Sequence, residues 1–152
     1  ESMTSYKSEM EALGYTVEIT RDAEAIASSC NLIITATQAK EPLLTADQIR
    51  PGTHITAMGS DTPEKIELDP QILANADVLV VDSIPQSKSR GEIARATEAG
   101  AIGGDAATEL GNVIQDPSKG RTSDDQTTIA DLTGVAVQDI QISKAVYKAV
   151  SS

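Results

Sequence analysis

The residues of this chain best suited to acid–base chemistry are an aspartate and a lysine four positions apart, Asp61 and Lys65. The apolar run at residues 55–58 predicts a strand, so Asp61 should lie just past the carboxyl end of that strand. Ligands of open α/β sheets bind at that edge, and a partly desolvated carboxylate there can take or return a proton on an amine. If Pro63 begins a helical turn, Lys65 points back toward the same edge. The alternatives are that Asp61 only caps this turn and that Lys65 is a solvated surface residue.

Other kinds of chemistry find little support in the residue types. His54 is the only histidine, and no cysteine or histidine cluster surrounds it, so neither a metal site nor a Ser-His-Asp triad is indicated. Cys30 is the only cysteine and cannot form an internal disulfide, which fits a reducing cytoplasm. We interpret Cys30 as a small buried residue at the end of a helix rather than as a nucleophile.

The elements that would position the aspartate and the lysine indicate an α/β fold. Continuous apolar runs at 32–36, 55–58 and 78–81 predict strands that are covered on both faces, as in parallel sheets. Between the last two runs, Asp69 as N-cap and Pro70 at the first helical position predict a helix. Strand starts therefore recur every ~15 to 25 residues with helices between them, which is the rhythm of βαβ units.

Periodicity and turn-forming residues predict the remaining elements. They are a helix through Met3, Tyr6, Met10 and Leu13 that ends at Gly14, a half-exposed strand at 15–20, a short helix from Asp22 to Ala27, helices at 92–99, 106–114 and 137–150, a loop at 118–126, and a short strand within 129–135.

Composition argues against two classes of partner. Of the 152 residues, 39% are hydrophobic and 23% are charged, as in ordinary globular domains. The net charge of −11 repels phosphate backbones and anionic lipid heads, and no apolar run approaches the ~20 residues that span a bilayer. We therefore expect neither a nucleic acid nor a membrane as partner.

The predicted fold is Rossmann-like, but the segment that opens such a fold is missing from the sequence. A Rossmann fold begins with a strand, a G-x-G-x-x-G turn and a helix whose N-terminus holds a pyrophosphate, and no such motif occurs here. The paired glycines at 103–104 have the wrong spacing and predict a turn. We therefore predict one partial Rossmann domain over residues 1–152, an incomplete doubly wound parallel sheet with flanking helices that lacks the first strand and the glycine-rich loop. Residues 136–152 would form a C-terminal helix.

Four segments together resemble the ornithine cyclodeaminase/mu-crystallin family in their order and spacing. They are TATQAKEP at 35–42, HITAMGSDTPEK at 54–65, RGEI at 90–93, and GRTSDDQ at 120–126 followed by DLTGVAVQD at 131–139. The resemblance covers nearly the whole chain, and the set is specific although each motif alone is weak. It implies a substrate and dimerisation domain beside a Rossmann domain that binds NAD or NADP. The phosphate loop and the ligands of the substrate carboxylate would lie upstream of this chain.

The resemblance also assigns roles to single residues. Asp61 matches the family's catalytic aspartate, and Lys65 helps to bind the substrate. Small residues at the end of the first strand should let the adenosine half of the cofactor approach the backbone. At the end of the next strand, Gly59 permits close approach near the nicotinamide. The cofactor-binding residues expected in this way are Thr35, Ala36, Thr37, Met58, Gly59 and Ser123. The alternative for the strand-end residues is packing alone.

By resemblance, the leading expectation is an ornithine cyclodeaminase that uses NAD, with NADP as a possible substitute. Hydride leaves the α-carbon of ornithine or a related diamino acid, the distal amine attacks the resulting imine, ammonia leaves, and hydride returns to give a cyclic product such as proline. The alternatives are a net oxidoreductase (an alanine or opine dehydrogenase or a ketimine reductase), a non-catalytic binding protein like a mu-crystallin, and another Rossmann-type enzyme such as a methyltransferase.

The expected partners are a small amino-acid substrate, the upstream half of the same protein, and a second copy in a homodimer. The chain alone should bind a dinucleotide poorly and be inactive, because the phosphate loop is not in it. Arg90 and Glu92 form either a structural pair or part of the site's rim, and the sequence leaves both readings open.

Overall fold

The computed structural model describes residues 2–151, in which five strands are interspersed with helices. The strands are β1 Leu32–Thr35, β2 His54–Ala57, β3 Val78–Val81, β4 Thr108–Glu109 and β5 Thr128–Asp131. The helices are α1 Ser2–Ala12, α2 Ala23–Ser29, α3 Pro70–Ala74, α4 Ile84–Ser87, α5 Glu92–Glu98, α6 Leu110–Gln115 and α7 Ala136–Val150, with single 3-10 turns at Ala46–Gln48 and Pro117–Lys119. Residues 1 and 152, the ends of the predicted domain, lie outside the described residues.

The five strands form one parallel sheet in the order β1-β2-β5-β3-β4. Their register places the last residue of each strand in a single row, which runs Thr35, Ala57, Asp131, Val81 and Glu109. Because all strands are parallel, the segments that follow them meet at one side of the sheet, called here the carboxyl edge. The α/β class, the parallel sheet and its flanking helices are confirmed.

The core lies on one face of the sheet. Ile33, Ile55 and Ile129 on that face are at most 5% exposed and pack with helix residues such as Ile72 and Ile93. Burying an aliphatic side chain of this size contributes about 1.5–3 kcal/mol to stability. This face therefore holds the strands, and with them the carboxyl edge, in a fixed arrangement.

The opposite face is less covered than the unbroken apolar runs predict. Leu32 and Ile34 on the edge strand β1 are 60% and 63% exposed, and His54 and Thr56 on β2 are half-buried. Complete coverage on both faces is thus not found within residues 2–151, because their helices leave the outer side of β1 open.

The predicted helix signals are found at the helix ends. The Asp22 carboxylate accepts a hydrogen bond from the Glu24 N–H (3.0 Å) at the start of α2. The Asp69 carboxylate accepts one from the Gln71 N–H (2.8 Å) at the start of α3, with Pro70 as its first residue. Caps of this kind satisfy backbone donors that have no partner within the helix.

Two predicted elements were wrong. Residues 15–20 form no strand; no neighbouring strand pairs with them, and the Val17 carbonyl accepts from the Lys7 ammonium instead. The predicted helix at 106–114 begins only at Leu110, because Thr108–Glu109 pairs with β3 as strand β4. Residues 15–20 lack a neighbouring strand to pair with, whereas Thr108–Glu109 has one in β3. In both places the availability of a neighbouring strand decides the structure more than the local pattern does.

Candidate active site

Two turns meet at the carboxyl edge, one after β1 and one after β2. The Met58 N–H donates to the Thr35 carbonyl (2.8 Å), which ties the start of the second turn to the end of the first. Ala36 and Met58 are the first residues after the neighbouring strands β1 and β2. Ala36 is exposed, and Met58 is 51% exposed. The structure therefore places residues 35–37 and 58–61 next to each other, as the parallel-sheet prediction requires.

The side chains of the first turn are not equally available to a ligand. Thr35 is buried and its hydroxyl donates to the buried carboxylate of Glu67 (2.6 Å). Both the N–H and the hydroxyl of Thr37 donate to the same carboxylate (2.6 and 2.8 Å). Thr35 is thus used inside the protein, whereas Ala36 and Thr37 are both exposed, and the Thr37 hydroxyl is held by Glu67.

Gly59 is required by the protein's own interior. A Cβ added at Gly59 would overlap the Glu67 carboxylate and the Thr37 carbonyl. The sequence-based reason for a glycine here was close approach of a nicotinamide, but the structure supplies a different one. The space that a side chain would need is already filled by the Glu67 carboxylate.

Asp61 and Lys65 form an ion pair at this edge. The Lys65 ammonium lies 2.5 Å from the Asp61 carboxylate, and the side chains are 11% and 53% exposed respectively. The hydrogen bond from Lys65, with a smaller contribution from the Arg90 guanidinium, holds the pKa of Asp61 below its ordinary value. The expected direction of Lys65 is found, but Asp61 is more exposed than a partly desolvated carboxylate would be, and it is ionised at neutral pH.

Arg90 and Glu92 do not form a pair. Glu92 is buried, and it accepts hydrogen bonds from the Ser60 hydroxyl and from the backbone N–H groups of Glu67 (2.8 Å) and Leu68 (3.2 Å). Burial raises the pKa of Glu92 above its ordinary value. Glu92 thus supports the second turn from inside, and of the two residues only Arg90 contributes charge near Asp61.

Sequence reasoning missed the end of β5, which lies in the middle of the carboxyl edge. The Leu132 N–H donates to the Ala57 carbonyl (2.9 Å), so residues 131–133 lie beside the end of β2. Asp131 is buried and accepts from the Ile93 N–H (2.9 Å); its burial raises its pKa to about 7. The sequence could have indicated this position for residues 131–133, because segments that follow parallel strands lie at one edge of the sheet.

The structure does not bring Ser123 to this edge. The loop 118–126 precedes β5, and the Gly52 N–H, just before β2, donates to the Asp125 carbonyl (2.8 Å). The Arg121 guanidinium donates to the Gly52 carbonyl (2.6 Å) in the same place. Since both segments precede their strands, Ser123 lies at the amino edge of the sheet, away from the other expected cofactor-binding residues.

The exposed surface of the carboxyl edge is apolar next to a charged pair, a combination that could hold a planar ring. Ala36 and Met58 offer exposed apolar surface beside a carboxylate and its lysine partner. A phosphate cradle would need consecutive backbone N–H groups at a glycine-rich helix start, and residues 2–151 contain no G-x-G-x-x-G turn. Residues 2–151 also contain no cluster of ligands suited to a metal ion and no helix of the length and apolar character that crossing a bilayer demands.

This chain is similar to known proteins over most of its length. A relative described as an uncharacterized cyclodeaminase of Sinorhizobium fredii is 43% identical over 88% of this chain and 41% of its own length. The alanine dehydrogenase of Archaeoglobus fulgidus is 43% identical over 80% of this chain and 38% of its own length. A solved archaeal alanine dehydrogenase dimer with bound NAD superposes with a TM-score of 0.86 at 39% identity, covering 97% of this chain and 46% of that one. The chain thus spans about two fifths of the length of the curated relatives it matches.

The family model described as the ornithine cyclodeaminase/mu-crystallin family matches residues 1–152. The motifs that carried the resemblance are therefore embedded in a match over the full sequence. The chain belongs to the ornithine cyclodeaminase/mu-crystallin family.

Proposed function

We propose that the protein carrying this chain moves hydride between a nicotinamide dinucleotide and the nitrogen-bearing carbon of a small amino or imino acid. The observation that carries the proposal is the ion pair of Asp61 and Lys65 at the carboxyl edge, next to the exposed Met58. The solved relative that superposes on this chain contains NAD, which supports the choice of cofactor.

The residues of this chain have separate tasks in the proposal. Asp61, which is ionised, accepts the proton from the substrate nitrogen and returns it in the reverse direction. Lys65 holds the Asp61 carboxylate in place at 2.5 Å, and Lys65 and Arg90 together supply positive charge for a substrate carboxylate. Ala36 and Met58 provide the surface against which the cofactor lies. When bound, the dinucleotide supplies the hydride chemistry.

A substrate that displaces the ion pair would also change the acid–base properties of Asp61. The low pKa of Asp61 depends first on the Lys65 hydrogen bond. If Lys65 turns to the substrate carboxylate and the site closes against solvent, the pKa of Asp61 rises and the carboxylate becomes a better proton acceptor. In this proposal the ion pair of Asp61 and Lys65 is thus the resting arrangement.

A net dehydrogenase or reductase is the first candidate, and a cyclodeaminase is the second. One relative that is 43% identical is an alanine dehydrogenase, which favours net oxidoreduction. An equally similar relative is described as a cyclodeaminase, which keeps the second candidate. Both reactions need the same proton transfer at nitrogen, so the residues of this chain serve either one.

Product analysis on the full-length protein separates the candidates. With NAD⁺ and an amino acid such as alanine or ornithine, a dehydrogenase releases ammonia and NADH in equal amounts. A cyclodeaminase releases ammonia from the diamino acid with no net NADH. Absence of both products across a panel of amino and imino acids, in a protein that is folded, would overturn the proposal.

The helix α7 is proposed to pack on the part of the full-length protein outside this chain. None of its residues is buried, and Ile142, Tyr147 and Val150 are 62–77% exposed. A helix with so much exposed apolar surface is normally covered by a partner. A homodimer is proposed on the grounds that the superposed relative is a dimer.

A further inference from the structure

Glu67 is a completely buried carboxylate, and two separate turns use all of its acceptor capacity. One oxygen, Oε1, accepts from the N–H and the hydroxyl of Thr37 (2.6 and 2.8 Å). The other, Oε2, accepts from the Thr35 hydroxyl (2.6 Å) and the Gly59 N–H (2.9 Å). A carboxylate offers about four acceptor sites, so each of them has a donor here.

No cation neutralises this carboxylate within the described part of the chain. Every hydrogen-bond partner of the Glu67 carboxylate is a hydroxyl or a backbone N–H, and none of the ion pairs found among residues 2–151 includes Glu67. Burying a charge without an opposite charge is unfavourable, and an apolar residue would fill the same space without that cost. The carboxylate therefore has a task that an apolar side chain could not perform.

The segment 59–67 shows what that task is. The Glu67 side chain hydrogen-bonds the Gly59 N–H, so it closes a loop from its own position back to the start of the segment. Asp61 and Lys65 lie within this closed loop. The Glu67 carboxylate also accepts hydrogen bonds from the turn after β1. The Glu67 N–H itself donates to the Glu92 carboxylate (2.8 Å).

We propose that Glu67 is a positioning residue that fixes the turn after β1 against the turn after β2 and thereby sets both the dinucleotide surface and the placement of Asp61. This inference rests on the proposed function, because it names a further residue of the same site. The hydrogen bonds of the Glu67 carboxylate go to Thr35, Thr37 and Gly59 and not to Asp61, so Glu67 acts through the backbone of the two turns.

The conservative change Glu67→Gln tests this geometry. A glutamine has one acceptor oxygen and one donor NH₂ group, so its NH₂ must face either the Thr37 N–H or the Gly59 N–H. Hydroxyl groups can rotate to accept, but these backbone donors cannot. One of the two turns must therefore shift, although the volume and the fold of the core are unchanged.

The experiment compares Glu67→Gln with two other variants in the full-length protein. Thr35→Val removes one buried hydroxyl donor at nearly constant volume. Glu41→Gln makes the same charge change at an exposed position of the loop after β1 and serves as the matched control. NADH affinity is measured by fluorescence titration, turnover is measured as kcat and KM, and folding is measured by circular dichroism.

We expect Glu67→Gln to weaken NADH binding about tenfold or more, since hydrogen bonds to a buried charge are lost. Thr35→Val should weaken it about threefold, and Glu41→Gln should leave it unchanged. Wild-type affinity and turnover in a folded Glu67→Gln would overturn the proposal. If Glu67→Gln does not fold, Thr35→Val serves as the test instead. Unchanged NADH affinity in Thr35→Val would then overturn the proposal.

A second readout separates this inference from the proposed function. The amide resonance of Thr37 or of Gly59 should move in Glu67→Gln and in Thr35→Val, whether or not a dinucleotide binds. If the wild-type protein binds no dinucleotide, the proposed function fails, while moved resonances still show that Glu67 holds the turns. Unmoved resonances show that it does not.

Discussion

The buried carboxyl group at the end of β5 gives a prediction whose sign and size both follow from the structure. Asp131 is 1% exposed, and its burial, assisted by the nearby charges of Glu92 and Asp82, raises its pKa from 3.8 to about 7. The hydrogen bond from the Ile93 N–H lowers the pKa of Asp131, but burial raises it by more. The folded protein therefore keeps a proton on Asp131 that the unfolded chain releases.

The direction of the pH effect follows from this difference in proton binding. Between about pH 4 and about pH 7 the unfolded chain loses the proton while the folded protein retains it, so the stability of the fold decreases as the pH rises through this window. A shift of about 3 pKa units corresponds to about 4 kcal/mol at most. Asp131→Asn removes the titration, and its Oδ1 can still accept from the Ile93 N–H.

Urea unfolding at about pH 4.5 and about pH 8 checks this reasoning. When the pH is raised from the lower to the higher value, the unfolding free energy of wild type should decrease by about 2–4 kcal/mol relative to that of Asp131→Asn. Asp105→Asn, an exposed aspartate, is the control and should show no such change. Parallel pH profiles for Asp131→Asn and wild type would refute the reasoning.

Two further predictions concern the turn after β2. Lys65→Met should raise the pKa of Asp61 toward its ordinary value, because the Lys65 hydrogen bond is the largest cause of its lowering; an NMR titration of the Asp61 carboxyl measures this, and an unchanged pKa would show that the ion pair does not form in solution. Gly59→Ala should destabilise the fold by about 1–3 kcal/mol, because the added methyl overlaps the Glu67 carboxylate and must displace it; urea unfolding measures this, and wild-type stability would contradict the packing described.

Sequence patterns were sufficient for four of the five strands of the described sheet and for the parallel arrangement that brings their carboxyl ends to one edge. Apolar runs of strand length predict buried parallel strands, and the caps Asp22 and Asp69 act through local contacts that a sequence pattern can reveal. The segment 15–20 and the strand β4 were not predictable in this way. Whether an extended segment becomes a strand depends on a neighbouring strand, and that neighbour is distant in sequence.

The buried carboxylates were beyond sequence reasoning for a related reason. Glu67, Glu92 and Asp131 belong to residue types that are almost always exposed, and most of their donors come from distant segments of the chain. Only the assembled fold shows that these donors converge. The position of Ser123 could have been inferred, because a loop that precedes a parallel strand lies at the amino edge.

The central claim is that Asp61 moves the proton in a nicotinamide-dependent reaction at the carboxyl edge, and Asp61→Asn in the full-length protein tests it most directly. We expect turnover to fall about 10²–10⁴-fold, whereas NADH affinity and the unfolding free energy stay close to wild type because the Asp61 side chain is exposed and its volume is kept. Turnover within about twofold of wild type, in a variant that still binds NADH, would contradict it.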